Sequence, residues 1–407
     1  MAGPPDSLTA LVERFDPDVF DAPAGRARVR LEVRGQGQWD VTIRPPEARL
    51  KEAREDRRPD ALISADPHAW RRVASDLAGG MAEHAAGRLT VRHDLHIGVG
   101  FLAAVGGRRD ANRLRFSRVR TRAGTTAICE AGDGPPVLML HGLGGTKVSF
   151  LPTIAALAGE HRTIAVDLPG FGDTDKPLTG SYDAAFFARW VVDLMDALEI
   201  DRARVIGHSM GGRVAIELGM AHADRIDCLA LMTPSLAWLR DKRWTPYLRL
   251  LRPELALLQP TPRPVVERFV RAAIPGANGG WSAAGIDEFL RSYLTPRGRV
   301  AFYKAARSIY LEEGEEFWSR LGAVEPRSLF VWGRRDQLIP IGFARHVRQA
   351  LPAAEHVELD CGHIPQFERP AQTHAAIGRF LRGIPSHGGR TRSRAARSPR
   401  RTQSGRG

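Results

Sequence analysis

Gly207-His208-Ser209-Met210-Gly211-Gly212 stands between a short apolar run, Arg204-Val205-Ile206, and a stretch of helical character over 213–222. A serine on a sharp strand-to-helix turn is forced into a strained backbone conformation. Its neighbours two positions away must then be glycine, because any side chain there would collide with the turn. The turn projects the hydroxyl beyond the strand, and the helix that follows offers its first N–H groups to negative charge. The spacing G-x-S-x-G is common by chance; a strand before it and a helix after it make it specific.

Outward from this turn the chain repeats one rhythm. Val137-Leu138-Met139-Leu140 ends at His141-Gly142, Arg162-Thr163-Ile164-Ala165-Val166 ends at Asp167, and the run 228–232 ends at Thr233-Pro234. Ser328 to Trp332 and His356 to Leu359 read as two further strands. Short apolar runs separated by helical stretches predict a mostly parallel sheet covered on both faces, an α/β architecture. One such helix is expected over 184–198, with Phe187, Trp190, Val191, Leu194 and Leu198 on its buried stripe. The segment of about 235–325 interrupts the rhythm with tryptophans, leucines and prolines. It predicts short helices broken at Pro253, Pro260, Pro262 and Pro264, placed as a lid over the end of the sheet.

A serine hydroxyl needs a base, and the base an orienting acid. Asp336, in Gly333-Arg334-Arg335-Asp336, and His363, in Asp360-Cys361-Gly362-His363, each follow a strand, where open α/β sheets gather their sites. Asp360 is a rival acid close to His363. His208 reads as a packing or turn residue, His141 as shaping its loop, Cys361 as a small buried thiol, and Asp167 and Asp173 as turn organisers.

These motifs together resemble the α/β-hydrolase family. "HGLGG", "DLPGFGDTDKP", "GHSMGG", "WGRRDQLIP" and "CGHIPQFERP" occur in family order, over 119–385. The resemblance implies Ser209 as nucleophile, Asp336 as acid and His363 as base. It implies the backbone N–H groups of Leu143 and Met210 as the oxyanion hole. Serine rather than aspartate at the turn implies attack on a carbonyl carbon through an acyl-enzyme, with no metal or organic cofactor. The expected activity is hydrolysis of a carboxylic ester. Thioester and carbon–carbon bond hydrolysis stay open, as does a non-catalytic lipid-binding or transfer role.

The N-terminal region has a different texture. Val29, Leu31 and Val33, then Trp39, Val41 and Ile43, alternate with polar residues as in half-buried strands, joined at Gly35-Gln36-Gly37. Asp66-Pro67 reads as a helix start, with Trp70, Val73 and Leu77 on one face. "ALISAD", "PHAWRRVASDLAGG", a strand "AAGRLTVRHDLHIG" and a closing apolar "VGFLAAV" resemble the sterol carrier protein-2-like lipid-binding domain, a small α+β fold, over 7–111. In place of the glycine that family often shows before the aspartate, this chain has His93. With the lid, this resemblance implies a hydrophobic or lipid-like acyl substrate and transient contact with a membrane surface.

Composition bounds the rest. The 407 residues exceed one ordinary domain of roughly 100–200 residues, and 43% hydrophobic content excludes a disordered chain. The formal charge is +13, but 386–407 carries seven arginines and no acid, and is expected to be a disordered tail. The tail thus supplies +7 and the rest of the chain +6, and a nucleic-acid partner is not expected, since such a partner calls for a basic stripe on a folded face. Three scattered cysteines predict neither disulfides nor a thiolate zinc site. The run 97–107 has eleven residues and four glycines, too short for a span of about twenty apolar residues. No secretory signal is visible in 1–15, and the expected address is the cytoplasm.

Overall fold

A computed structural model of the chain describes residues 4–73, 83–84, 86–106, 111–237, 252–258, 262–273 and 280–385. The proposed tail 386–407, the stretch 238–251 with its tryptophans and leucines, Pro260 and Leu77 lie outside the described residues.

Two sheets organise the molecule. The first contains β1 (Ala27–Val33), β2 (Gly37–Arg44), β3 (Glu47–Glu52), β4 (Ala61–Ala65) and β5 (Leu89–His93), in the order β3-β2-β1-β4-β5. It is mixed: β1 runs parallel to β4 and every other pairing is antiparallel. Alternation in β1 buries Val29, Leu31 and Val33, as the period-2 pattern demands. Asp66 caps the helix Pro67–Val73 by accepting the Ala69 N–H at 2.8 Å. β3 gave no signal in the sequence because Glu47–Glu52 is an edge strand of mostly charged residues with no buried face.

The segment read as one strand followed by an apolar tail is instead a strand and a helix. β5 ends at His93, whose φ of +73° turns the chain out of the sheet. Asp94 then accepts the Ile97 N–H and caps the helix Leu95–Val105. The left-handed backbone at 93 is the physical demand that glycine meets most easily. The helix lies so close on β5 that a Cβ at Gly98 would sit 2.4 Å from Val91. Its other face meets Phe116, so the N-terminal core continues into that of the second sheet.

The second sheet contains β6 (Arg115–Arg120), β7 (Thr125–Ala131), β8 (Pro136–Leu140), β9 (Arg162–Val166), β10 (Ala203–His208), β11 (Ile226–Met232), β12 (Arg327–Gly333) and β13 (Glu355–Leu359). Their order is β13-β12-β11-β10-β8-β9-β7-β6. The run from β13 to β9 is parallel, and β7 and β6 attach antiparallel. The sheet thus begins at Arg115, ahead of Val119. Helices Ala184–Ala197 and Met210–Ala221 cover one face, burying Phe187, Val191, Leu194, Val214 and Leu218.

Between β11 and β12 the described chain forms a 3-10 turn, Pro253–Leu257, and helices Arg263–Ala273, Gly280–Tyr293, Pro296–Tyr310 and Gly314–Leu321. The second and third of these helices run 14 and 15 residues, longer than the prolines suggested. Pro264 and Pro296 stand in the first turns of their helices, where the missing N–H is harmless, so they start helices rather than break them.

Candidate active site

Ser209 follows β10 directly, with φ +52° and ψ −116°, and the helix Met210–Ala221 begins at the next residue. Few L-residues occupy this region, and the surroundings over-determine it. The Ser209 N–H donates to Met232 O at 3.0 Å, and its carbonyl accepts the N–H groups of Ser235 and Arg213. A Cβ at Gly207 would fall 2.5 Å from Gly211 O, and one at Gly211 only 2.0 Å from Leu140 O. The glycines flanking Ser209 are therefore steric requirements of the turn.

The structure brings His363 and Asp336 to this serine. His363 Nε2 lies 3.0 Å from Ser209 Oγ, and His363 Nδ1 lies 2.8 Å from Asp336 Oδ2. Asp336 is buried, and its Oδ1 accepts main-chain N–H groups from Leu338 and Ile339 at 2.8 and 2.9 Å. One carboxylate oxygen is thus held by the loop while the other faces the imidazole. With Nδ1–H given to the carboxylate, Nε2 presents a lone pair to the serine hydroxyl, an arrangement able to accept its proton. Asp360 does not compete: it pairs with Arg335 at 3.0 Å on the surface.

The carbonyl of His363 is clamped from the other side. His208 Nε2–H donates to it at 2.9 Å and Thr233 Oγ–H at 3.0 Å. Burial, and next the neighbouring His363, push the His208 pKa down to about 3, which keeps the ring neutral. His208 is thus a buried strut for His363, a role that its position beside the serine did not disclose.

Leu143 and Met210 each stand one residue from a group at the serine turn, Gly142 and Ser209 respectively. Met210 opens the helix, and Leu143 follows Gly142, where a Cβ would come within 3.1 Å of Ser209 Cβ. His141 is fully buried; its Nδ1–H donates to Gly142 O at 2.8 Å while Nε2 accepts the Leu168 N–H at 3.0 Å. These two bonds shape the loop and leave neither nitrogen for chemistry. Phe289 Cδ2 and Cε2 crowd Gly144, whose φ is +76°, and the ring packs with Tyr293 and Phe302 as an aromatic wall. Cys361 is buried, and burial pushes its thiol pKa up to about 11.

A second polar cluster lies beside the first and was missed in the sequence. Lys147 is completely buried, with Nζ 2.7 Å from Asp167 and 2.9 Å from Asp173. Burial would lower its pKa, but the two carboxylates more than offset this and hold it above the ordinary lysine value. Arg291 grips Asp173 at 2.7 Å, and His96 Nδ1 stands 3.2 Å from the same carboxylate. Asp167 and Asp173 therefore organise more than turns: they neutralise a buried lysine. Nothing in the pattern around Lys147 distinguishes it from a surface lysine. Among the described residues, no group of three or more His, Cys, Asp or Glu side chains is arranged to hold a metal ion. Nor is any helix among them long and apolar enough to cross a membrane.

Comparison with known proteins bears on the same region. A family model described as alpha/beta hydrolase fold matches residues 135–370. The dihydrolipoyllysine-residue acetyltransferase component of the acetoin cleaving system of Cupriavidus necator is 30% identical over 284 residues, 67% of this chain and 68% of that protein. The 2-hydroxymuconate semialdehyde hydrolase of Pseudomonas sp. (strain CF600) is 27% identical over 281 residues, 63% of this chain and 90% of that one. Among solved structures, a hydrolase from Pseudomonas aeruginosa PA01 superposes with a TM-score of 0.56 at 22% identity, covering 65% of this chain and 98% of that chain. Residues before 135 lie outside the family match, which nonetheless spans more than half of the sequence. This chain belongs to the alpha/beta hydrolase fold family.

Proposed function

We propose that the protein is a serine hydrolase that cleaves a carboxylic ester of a hydrophobic or lipid-like acyl group. Ser209 attacks the acyl carbon while His363 takes its proton, and Asp336 stabilises the imidazolium. The alcohol leaves with that proton; a water, deprotonated by His363, then releases the acid. The N–H groups of Leu143 and Met210 hold the oxyanion, and the loss of one such donor costs roughly 3 kcal/mol. The observation that carries this reading is the line Ser209 Oγ–His363–Asp336, with contacts of 3.0 and 2.8 Å.

The hydrophobic preference is supported by Phe289, Tyr293 and Phe302 beside Gly144. In this proposal the helices within 235–325 act as a lid for the unit 119–385. The unit 7–111 acts as a sterol-carrier-like module that captures the substrate. Binding of a fluorescent fatty-acid analogue to the full chain, displaced by the ester, tests that last role; absence of binding removes it.

Similarity to 2-hydroxymuconate semialdehyde hydrolase favours a second reading, in which the same serine attacks a ketone and a carbon–carbon bond breaks. A fluorophosphonate probe is expected to label the wild-type chain and not Ser209→Ala. Turnover of p-nitrophenyl esters, acyl thioesters and ring-fission dienones then separates the leaving groups. Wild-type protein that neither labels nor turns over any of them would sink both readings.

A further inference from the structure

The helix Gly280–Tyr293 touches the N-terminal sheet on one side and the glycine loop of the site on the other. Asp287, 3% exposed, is the first point of attachment. Its Oδ2 accepts Arg92 Nε at 2.7 Å and the His93 N–H at 2.9 Å, and its Oδ1 accepts Arg263 at 2.8 Å. One turn later Arg291 reaches Asp173 at 2.7 Å and stands 3.7 Å from Asp94, the residue that caps the helix after β5.

Successive residues of a helix are rotated by about 100°, so positions 287 and 291 share a face while 289 and 293 share the opposite one. Phe289 and Tyr293 are indeed stacked there, 5.1 Å apart. The Phe289 ring presses on Gly144 so closely that a Cβ would be 2.5 Å away. Gly144 follows Leu143, the residue whose N–H is assigned to the oxyanion.

We propose that Arg92, His93 and Asp287 are positioning residues of the hydrolase site, holding this helix so that Phe289 keeps the loop of Leu143 and Gly144 in place. The inference rests on the serine-hydrolase reading for its effect on rate. The N-terminal sheet is, on this account, a working part of the site in addition to its proposed capture of the substrate. His93 contributes through its main chain: the left-handed turn aims its N–H at Asp287.

The test uses the full chain with Arg92→Ala, Arg92→Lys, Asp287→Asn and Phe289→Leu. Arg49→Ala serves as control; it removes an exposed ion pair on β3. Loss of the oxyanion geometry acts in the transition state alone, so kcat for p-nitrophenyl acetate should fall about tenfold with KM changed less than about twofold. Arg92→Lys should recover much of the loss. Phe289→Leu, which leaves the ion pairs intact, should reproduce it, and Arg49→Ala should do nothing. Amide exchange of residues 283–293 should quicken in Arg92→Ala and Asp287→Asn. Unchanged kcat in folded Asp287→Asn and Phe289→Leu would overturn the proposal, as would unchanged exchange. If wild-type protein shows neither turnover nor labelling, the serine-hydrolase reading fails, and the exchange measurement still decides whether the N-terminal strand holds the helix.

Discussion

The molecule holds two polar clusters, and they are wired differently. Ser209, His363 and Asp336 form a line of two hydrogen bonds in series, ending on a carboxylate held by the main chain. Lys147, Asp167, Asp173, Arg291 and His96 form a mesh in which Asp173 alone meets three partners. A line suits the transfer of one proton, because its middle member can accept it on one ring nitrogen while the carboxylate fixes the other. A mesh suits burial of charge, because each ion offsets the cost of dehydrating the others. The reaction should therefore be sensitive to the line, and the stability of the fold to the mesh.

The sharpest separation comes from Ser209→Ala. It is expected to reduce kcat by about 10⁶ while leaving the denaturant midpoint unchanged or higher, since a strained turn has lost only a hydroxyl. Asp336→Asn should follow with a loss of about 10⁴ in kcat, because an amide cannot hold the same imidazole tautomer. Ester turnover of the two variants checks both figures. In the mesh, Lys147→Met leaves two carboxylates facing each other in the interior. It should cost about 3–5 kcal/mol in urea unfolding, while the remaining folded protein still labels at Ser209.

A smaller effect tests the strut beside the line. Folded His208 titrates near 3 against an ordinary value of 6.5, so below pH 6.5 the unfolded chain takes up a proton that the folded chain refuses. Its stability contribution is complete above pH 6.5 and declines as the pH falls. His208→Gln keeps an N–H for the His363 carbonyl and has no such titration. Wild-type protein should lose about 2 kcal/mol more than His208→Gln between pH 6.5 and pH 5. Equal slopes would show that His208 is hydrated or charged in the fold. Smallest of all, Arg382→Ala removes an exposed pair with Glu160 and should shift stability by less than about 0.5 kcal/mol.

The line was legible along the chain for a local reason. Gly207 and Gly211 are required by the backbone at Ser209, and such a requirement is written within a few residues. Asp336 and His363 could be named because each lies in the loop after a recognisable strand. The preference for Asp336 over Asp360 gains its physical basis from two main-chain N–H groups that hold one and a surface arginine that holds the other. The mesh was illegible because its members are far apart: Arg291 and Asp173 are separated by 118 residues, Lys147 and Asp173 by 26. No periodicity links them. The helix Leu95–Val105 was hidden for a related reason. Its glycines look like loop residues until the close approach to β5 makes Gly98 a packing necessity.

Read along the chain, the succession of strands, the serine turn with its glycines and the loops bearing Asp336 and His363 follow from local backbone chemistry. These features concern residues within a few positions of each other, where sterics and hydrogen-bond spacing leave little choice. Folding in three dimensions was needed to set the partner of Lys147, the strut role of His208 and the attachment of the N-terminal sheet to the helix above Gly144. Each depends on which groups lose water, and that follows from packing between segments distant in the sequence.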